Sequence, residues 1–202
     1  LVASLDRHDR LALAVSGGVD SMTLAHVAWR FSRTRATMYH ATGPAVPAAA
    51  RGRVEAHAER HGWPLVLLDA GEQHDARYRA NPVDRCYYCK TNLYARIRGA
   101  TPDPIASGTN RDDLDDFRPG LRAAGEHDVV HPYVEAGIDK AGVYALAASL
   151  ALNLLVLVAV AFVYPHLMVS PAPLVKGHAE LATDCFACHG AWRGASSERC
   201  IE

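Results

Sequence analysis

The sequence lacks an excess of charge of either sign. Lysine and arginine together number 21, against 22 aspartate and glutamate residues, which gives a formal net charge of −1. Proteins that bind the phosphate backbone of nucleic acids usually carry a basic excess, so we expect no nucleic-acid partner. The chain has 202 residues and half of them are apolar, which is enough for one ordinary domain with additions and excludes wholesale disorder.

Charged side chains are also missing from one long stretch. No Asp, Glu, Lys or Arg occurs between Lys140 and Lys176, whereas the chain before Lys140 is dense in both signs of charge. Within this stretch, residues 146–163 include one serine and one asparagine and are otherwise apolar, which is long enough to cross a bilayer core of about 30 Å. The alternative is a buried core helix, although such a helix normally shows one polar face. We therefore expect a transmembrane helix over 146–167.

Before this stretch, short apolar runs alternate with helical patterns. Strands are predicted over 11–15, 36–42, 64–70 and 104–107, with an apolar pair at 129–130, and helices over 22–31, 48–61 and 86–98 and from about 139. This alternation predicts an α/β fold, in which a parallel sheet has helices on both faces and binds ligands at the carboxyl ends of its strands. The predicted domains are 1–145 for this sheet, 146–167 for the membrane helix and 168–202 for a polar tail.

A glycine-rich motif follows the first predicted strand. It consists of Ser16, Gly17, Gly18, Val19, Asp20 and Ser21. A turn between a strand and a helix aims backbone N–H groups at phosphate oxygens, and the helix N-terminus adds its positive end. Asp20 is a candidate for Mg²⁺ binding or for positioning. No Gly-Lys-Ser/Thr sequence follows, so the loop is not of the Walker A type, and cleavage between the α and β phosphates of ATP is the chemistry that it favours.

The SGGVDS motif resembles the signature of the PP-loop ATP pyrophosphatases, and three further motifs narrow the resemblance. These are CYYCK at 86–90, SGTN at 107–110 and DFRPG at 116–120. Together they resemble the LarE family of ATP-dependent sacrificial sulfur transferases over about residues 1–150, including Lys140. The resemblance implies ATP and Mg²⁺ at the loop, transfer of AMP to a pyridinium dicarboxylate-type small molecule, and sulfur transfer in synthesis of the nickel-pincer cofactor.

The resemblance also assigns roles to single residues. It places Lys90 near the nucleotide, where its charge could offset that developing on the α-phosphate, and it places Gly108, Thr109 and Asn110 at a strand-end nucleotide contact. Arg118 could clamp a phosphate or a carboxylate through its guanidinium group. The candidate catalytic residues are Asp20, Lys90 and Arg118. Two alternatives stay open, a solvated helix lysine for Lys90 and, for Arg118, a surface ion pair with one of Asp112, Asp113, Asp115 and Asp116.

Cys86 and Cys89 have the C-x-x-C spacing of metal and redox sites. One such pair supplies two of the four ligands of a structural zinc, and His57, His61 and His74 could complete the set. We favour two reduced thiols near the nucleotide, because the pair does not lie in a thioredoxin-like context. The LarE pattern continues into a second half with sulfur-donating cysteines, which this sequence replaces by the apolar stretch, so one of these two thiols would have to act as donor.

A second motif lies in the polar tail. The C-x-x-C-H signature of c-type haem attachment is formed by Cys185, Cys188 and His189, with thioethers on the two thiols and the histidine on the iron. His178 and Met168 are candidates for the distal ligand. The chain from about residue 150 resembles the anchor and first haem motif of a membrane-bound multihaem c-type cytochrome, in which Cys200 would begin a second motif.

Taken together, these interpretations predict a fusion anchored in the cytoplasmic membrane by a single helix. The ATP-binding domain would lie on the cytoplasmic side and a haem c tail outside, with redox partner proteins. One alternative is an electron-transfer protein in which the loop domain is vestigial or senses nucleotide. Others are a PP-loop amidotransferase, a tRNA-thiolating enzyme, and the joining of two unrelated fragments.

Overall fold

The computed structural model describes residues 1–80 and 82–150 and, near the end of the chain, the backbone of four further residues. Residues 1–147 form one compact unit and residues 148–202 a second. The strands of the first unit are β1 (Arg10–Ala14), β2 (Arg35–Thr42), β3 (Leu65–Asp69) and β4 (Ile105–Ser107). Its helices are α1 (Val2–Leu5), α2 (Val19–Phe31), α3 (Ala48–His61), α4 (Ala76–Arg79), α5 (Arg85–Ala100), α6 (Pro119–Glu126) and α7 (Pro132–Glu135), with 3₁₀ turns at Glu72–His74 and Arg111–Leu114 and helical residues from 140.

The four strands form one parallel sheet in the order β3-β2-β1-β4. Ala12 of β1 pairs with Thr37 of β2 and with Ile105 of β4, and a parallel bridge joins Ala106 to Val130 beyond β4. The prediction of a parallel α/β sheet is therefore confirmed. Because the chain runs outward from β1 to β3 and then returns to the other side of β1, the strand order reverses between β1 and β4. Ligand crevices of such sheets open at this point, at the carboxyl ends of the strands.

Side chains on both faces of β1 are buried. Ala12 and Ala14 belong to a core that includes Ile97 of α5 and alanines of α6. Leu11 and Leu13 alternate with them, are 0% and 1% exposed, and point to the opposite face because the side-chain period of a strand is two. The right-handed connection from β1 to β2 places α2 over that second face. The sheet thus has the two apolar faces typical of parallel strands.

In the second unit, the structure describes a short antiparallel ladder. Its strands are β5 (His189–Gly190) and β6 (Gly194–Ala195). The predicted haem thiols Cys185 and Cys188 lie outside the described residues, as do the candidate distal ligands His178 and Met168 and the side chain of His189. Haem attachment at this motif stays a prediction from the sequence.

The predicted membrane localisation requires a correction. Within residues 1–80 and 82–150, no helix has the length and apolar content needed to cross a bilayer, which takes about 20 residues. From residue 151 onward, the predicted span 146–167 lies outside the described residues. The prediction of a single-pass membrane protein with a cytoplasmic and an extracytoplasmic part is wrong on this finding. The transmembrane prediction depends on composition, which marks an apolar segment without specifying whether lipid or protein surrounds it.

Candidate functional site

The glycine loop joins β1 to α2 at the carboxyl edge of the sheet. Gly17 has a φ of +83°, and a Cβ at this position would lie 2.7 Å from the backbone oxygen of Ala50. Ser21 Oγ accepts a hydrogen bond from the backbone N–H of Ser16 at 3.1 Å and donates to the backbone oxygen of Gly18 at 3.1 Å. The loop therefore needs glycine for its turn and for its packing, while a serine at its end fixes its path.

The helix that follows the loop begins without a capping side chain. Its N-cap residue is Gly18, and the first bond within the helix runs from the N–H of Met22 to the oxygen of Gly18 at 3.0 Å. The N–H groups of Val19, Asp20 and Ser21 precede that bond, and an α-helix leaves such first-turn donors without partners inside the helix. With the positive end of the helix, these donors form the kind of backbone cradle that binds phosphate oxygens.

The carboxyl end of β4 lies directly against the start of α2. A Cβ on Gly108 would lie 2.9 Å from a backbone nitrogen in the first turn of that helix, which leaves no room for a side chain. Asn110 is 1% exposed and donates from its amide to Oδ1 of Asp20 at 3.3 Å. The hydroxyl of Thr109 lies 3.0 Å from that of Ser107 at the end of β4. Two segments that the sequence analysis assigned to the nucleotide, the loop and residues 108–110, are thus brought together.

Lys140 forms an ion pair with Asp20. Its Nζ lies 2.6 and 2.7 Å from the two carboxylate oxygens, and its backbone N–H donates to Asp112 at 3.1 Å. The side chains of Lys140 and Asp20 are 36% and 26% exposed, so the pair borders on solvent and can meet a ligand. Lys140 falls within the resemblance to the LarE family, which assigns no role to it. Its signal in the sequence is its isolation, because it is the one lysine or arginine between Arg122 and Lys176.

Two further side chains that the sequence analysis did not assign lie at the same edge. The hydroxyl of Tyr133 donates to the backbone oxygen of Asp20 at 3.0 Å, and burial, with a smaller effect of the nearby carboxylate, raises the pKa of this phenol. Nδ1 of His131 lies 2.9 Å from Oγ of Ser107, and burial lowers the pKa of this imidazole. Neither residue belongs to a recognisable spacing pattern, so the sequence carried no signal for them.

Arg118 pairs with acidic residues of its own loop. Its guanidinium nitrogens lie 3.0 Å from a carboxylate oxygen of Asp113 and 3.4 Å from one of Asp116. Asp113 in turn accepts the backbone N–H of Asn110, in the capping box of the 3₁₀ turn at Arg111–Leu114. The surface ion pair considered as an alternative for Arg118 is present, and it connects this arginine to the segment that carries Asn110.

Lys90 belongs to α5, and its side chain lies against α6. Its Cγ is 3.2 Å from the position that a Cβ on Gly120 would take, and its ammonium group lies 5.8 Å from the ring centroid of Tyr94. Among the residues that the structure describes, Lys90 forms no hydrogen bond or ion pair with loop residues 16–21. The role of Lys90 toward a nucleotide stays a prediction.

The two cysteines of the CYYCK motif are free thiols. Cys86 is exposed, while Cys89 is half-buried and burial raises the pKa of its thiol. His57 and His61, considered as their zinc partners, instead pack against each other with ring centroids 5.6 Å apart, and His61 stacks on Trp63. In the described part of the chain, no three ligating side chains converge on one point where a metal ion could bind.

A cleft of about 410 Å³ lies at the opposite edge of the sheet. It is lined by residues from the ends of α5 and α6 and from the segments that precede β4 and Val129, namely Arg98, Pro104, Glu126, His127 and Asp128. Arg98 donates to the backbone oxygens of His127 and Asp103 at 3.1 and 3.4 Å, so its guanidinium is used to join loops. The cleft contains none of the residues assigned from motifs, and we place the functional site at the carboxyl edge.

Comparison with known proteins gives relatives for most of the first unit. The chain is 33% identical over 148 residues to an uncharacterized protein of Synechocystis, a match that covers 71% of this chain and 55% of that protein. It is 28% identical over 158 residues to the pyridinium-3,5-bisthiocarboxylic acid mononucleotide synthase of Lactiplantibacillus plantarum, covering 76% of this chain and 57% of the synthase. The chain thus spans somewhat more than half the length of these relatives. No protein-family profile matches it.

Among solved structures, a subunit of a tRNA methyltransferase from Methanocaldococcus jannaschii aligns with a TM-score of 0.49 at 17% identity, covering 69% of this chain and 74% of that one. The relatives named here give no support to a fused cytochrome. The sequence relatives, together with the parallel sheet and the glycine loop at its switch point, support the PP-loop domain expected from the sequence for the first unit of the chain.

Proposed function

We propose that this chain binds Mg-ATP at the glycine loop, transfers AMP to a carboxylate and releases pyrophosphate, as the activating half of a LarE-like sulfur transfer. One observation carries the proposal. The uncapped first turn of α2, which offers N–H donors to phosphate, lies at the same strand edge as the Asp20–Lys140 pair and Asn110. The similarity to a pyridinium-3,5-bisthiocarboxylic acid mononucleotide synthase suggests a pyridinium carboxylate as the acceptor.

In this proposal, the chemistry is an in-line substitution at phosphorus. A carboxylate oxygen of the acceptor attacks the α-phosphorus, the bond from that phosphorus to the bridging oxygen breaks, and pyrophosphate leaves with the electron pair. The products are an acyl adenylate and pyrophosphate. Negative charge develops on the bridging oxygen and on the α-phosphate, so fixed cations and N–H donors around the loop would lower the barrier.

In this reaction, the residues of the site would contact phosphate, bind Mg²⁺ or position other side chains. Lys140 is near enough to Asp20 to move between that carboxylate and a phosphate oxygen, and Asp20 offers the carboxylate oxygens that Mg²⁺ prefers. Asn110 and Tyr133 hold Asp20 from its side chain and from its backbone. We keep Lys90 and Arg118 as proposed ligands of the nucleotide phosphate and of the acceptor carboxylate, on the resemblance.

The later sulfur transfer is proposed from the similarity to the synthase alone. A cysteine thiolate would attack the carboxyl carbon of the acyl adenylate, and AMP would leave, which gives a thioester. Loss of the cysteine α-proton and cleavage of its Cβ–Sγ bond would then release a thiocarboxylate and leave dehydroalanine in the chain. Cys86 is an exposed thiol of the described chain and Cys89 a half-buried one, and either would serve as a candidate donor if the transfer occurs within this chain.

Pyrophosphate release from Mg-ATP tests the proposal directly. We expect release by the full chain to depend on an added pyridinium carboxylate, with nicotinate mononucleotide-type dicarboxylates as acceptors and the corresponding amides as controls. Substituting Lys140→Met should slow release by about 100-fold, because removal of one preorganised charge contact typically costs that much. Failure of the wild-type chain to bind ATP, or release that is indifferent to the Lys140→Met substitution, would contradict the proposal.

A further inference from the structure

The first half of α3 covers one side of the glycine loop. The backbone of Ala50 lies against Gly17, so closely that a Cβ on that glycine would overlap it. Arg53 lies one turn further along, on the same face of the helix, because residues three apart are neighbours on a helix surface. Its Nε donates to the backbone oxygen of Gly17 at 3.1 Å. Helix α3 therefore packs against the loop and places the cation of Arg53 beside it.

The guanidinium of Arg53 uses one of its donor edges for this contact. Its two terminal amino groups form no hydrogen bond or ion pair with any residue that the structure describes. Arg51 and Arg77 differ in this respect, since Arg51 pairs with Glu55 at 2.8 Å and Arg77 with Asp75 at 2.9 Å. Arg53 thus presents at the loop a fixed positive charge with free donors, which is the geometry that recognises phosphate in a bidentate manner.

Arg53 and Lys140 reach the loop from opposite sides of β1, the strand that precedes it. Arg53 comes from α3, which is joined to β2, whereas Lys140 contacts Asp20 together with Asn110, which follows β4. Because β2 and β4 flank β1 on its two sides, the loop lies between these two cations. A chain of phosphates on the loop would meet one cation at each end.

We infer that Arg53 binds the β and γ phosphates of the nucleotide, the part that leaves as pyrophosphate. The inference rests on the proposed ATP site and names a residue for its leaving group. Anchoring at Nε limits the orientations of the guanidinium, so little rotamer freedom is lost when a phosphate binds. Arg53 would therefore distinguish ATP and pyrophosphate from AMP, which lacks the outer phosphates.

The test compares three ligands on four proteins. Dissociation constants for Mg-pyrophosphate, Mg-ATP and AMP are measured by calorimetry on the full-length wild-type chain and its Arg53→Gln, Arg53→Lys and Arg51→Gln variants. We expect Arg53→Gln to weaken pyrophosphate and ATP binding by at least about tenfold, the range of a hydrogen bond to a charged group, and AMP binding by less than about twofold. Arg53→Lys should recover part of the loss, and Arg51→Gln, on the same helix, should match the wild type.

The outcomes separate this inference from the proposed function. The inference fails if Arg53→Gln binds pyrophosphate as tightly as the wild type does. It also fails if this variant loses affinity for AMP to the same extent as for pyrophosphate, because Arg53 would then hold the loop without contacting the outer phosphates. If pyrophosphate binding depends on Arg53 but no pyrophosphate is released from ATP, the inference stands and the proposed reaction fails. A wild-type chain that binds neither ATP nor pyrophosphate would overturn both. Should Arg53→Gln not fold, Arg53→Lys carries the comparison, because it keeps the charge but not the fork of donors.

Discussion

The two edges of the parallel sheet carry similar kinds of residues but use them differently. At the amino edge, Arg10 pairs with Asp103 and Arg98 binds the backbone oxygens of two loops, so each cation has partners that connect one segment to the next. At the carboxyl edge, α2 begins without a cap and Arg53 keeps free donors beside the loop. The first arrangement joins segments of the fold, whereas the second leaves donors available to an anion.

A cleft in the described part of the domain lies apart from the residues that the motifs assign to chemistry. The amino edge holds a cleft of about 410 Å³, yet Arg98 in its lining donates to backbone oxygens and Glu126 accepts a hydrogen bond from Tyr87. The carboxyl edge is where every loop following a parallel strand emerges, so polar residues from distant parts of the chain meet there. The alignment of backbone N–H groups at the start of α2 adds a positive potential that the amino edges of the strands lack.

The largest difference between the edges should appear when one carboxylate is neutralised at each. Asp20→Asn removes the charge that holds Lys140 and that would bind Mg²⁺, so we expect pyrophosphate release to fall by about 100-fold or more, with less than about 1 kcal/mol lost from the free energy of unfolding. Asp103→Asn makes the same charge change opposite Arg10. It should leave release unchanged and lower the free energy of unfolding by about 1 to 2 kcal/mol, because Asp103 is mostly buried.

Release assays and urea unfolding on both variants check this pair of expectations. Equal losses of activity for Asp20→Asn and Asp103→Asn would mean that the two edges are not functionally distinct, and the site would have to be moved.

A smaller contrast is expected between two glycines. Gly108→Ala places a Cβ 2.9 Å from backbone of α2, so β4 and α2 must separate, and we expect a loss of about 1 to 3 kcal/mol in stability and weaker ATP binding. Gly125→Ala, in α6, meets no atom within 4 Å and should raise stability by about 0.5 to 1 kcal/mol through helix propensity. Thermal unfolding and ATP titration measure both, and an unperturbed Gly108→Ala variant would show that the two segments are not in close contact.

Much of this site followed from local sequence patterns. Apolar runs predicted the four strands, and the glycine loop was placed after the first of them, because both signals depend on neighbouring residues. The helix after the loop begins at Val19, three positions before its predicted start at Met22, since the loop itself supplies the N-cap and the first turn. Asp20 therefore lies in the first turn of the helix, and its carboxylate contacts Lys140.

Contacts between residues far apart in the sequence could not be predicted from local patterns. Lys140 and Asp20 are 120 positions apart, and their pairing depends on how the segment after α7 contacts the 3₁₀ turn at Arg111–Leu114. Arg53 belongs to a helix with several exposed arginines, and its identity as the one beside Gly17 follows from the packing of Ala50 on the loop. By residue type alone, each of these side chains could have many roles. The parallel sheet limits these roles because it places the side chains at its carboxyl edge, beside the glycine loop.

The smallest effect concerns pH and again distinguishes the carboxyl edge from the rest of the molecule. Burial lowers the pKa of His131 beside Ser107, and it also lowers the pKa values of His26 and His57 on the outer side of α2 and α3. In the unfolded chain these histidines take up protons near pH 6.5, whereas in the folded chain they do so only at lower pH. The free energy of unfolding is therefore at its full value above pH 6.5 and decreases as the pH falls below it.

His131→Asn should make the free energy of unfolding decrease less at low pH, and it should also change the pH dependence of pyrophosphate release. His26→Asn should flatten it comparably while leaving release unaffected, because His26 lies away from the loop among His61 and Phe31. Urea unfolding between pH 5 and pH 8, with release measured over the same range, decides the matter. A His131→Asn chain whose activity follows the wild-type pH profile would place His131 with His26, as a buried histidine of the fold and not of the site.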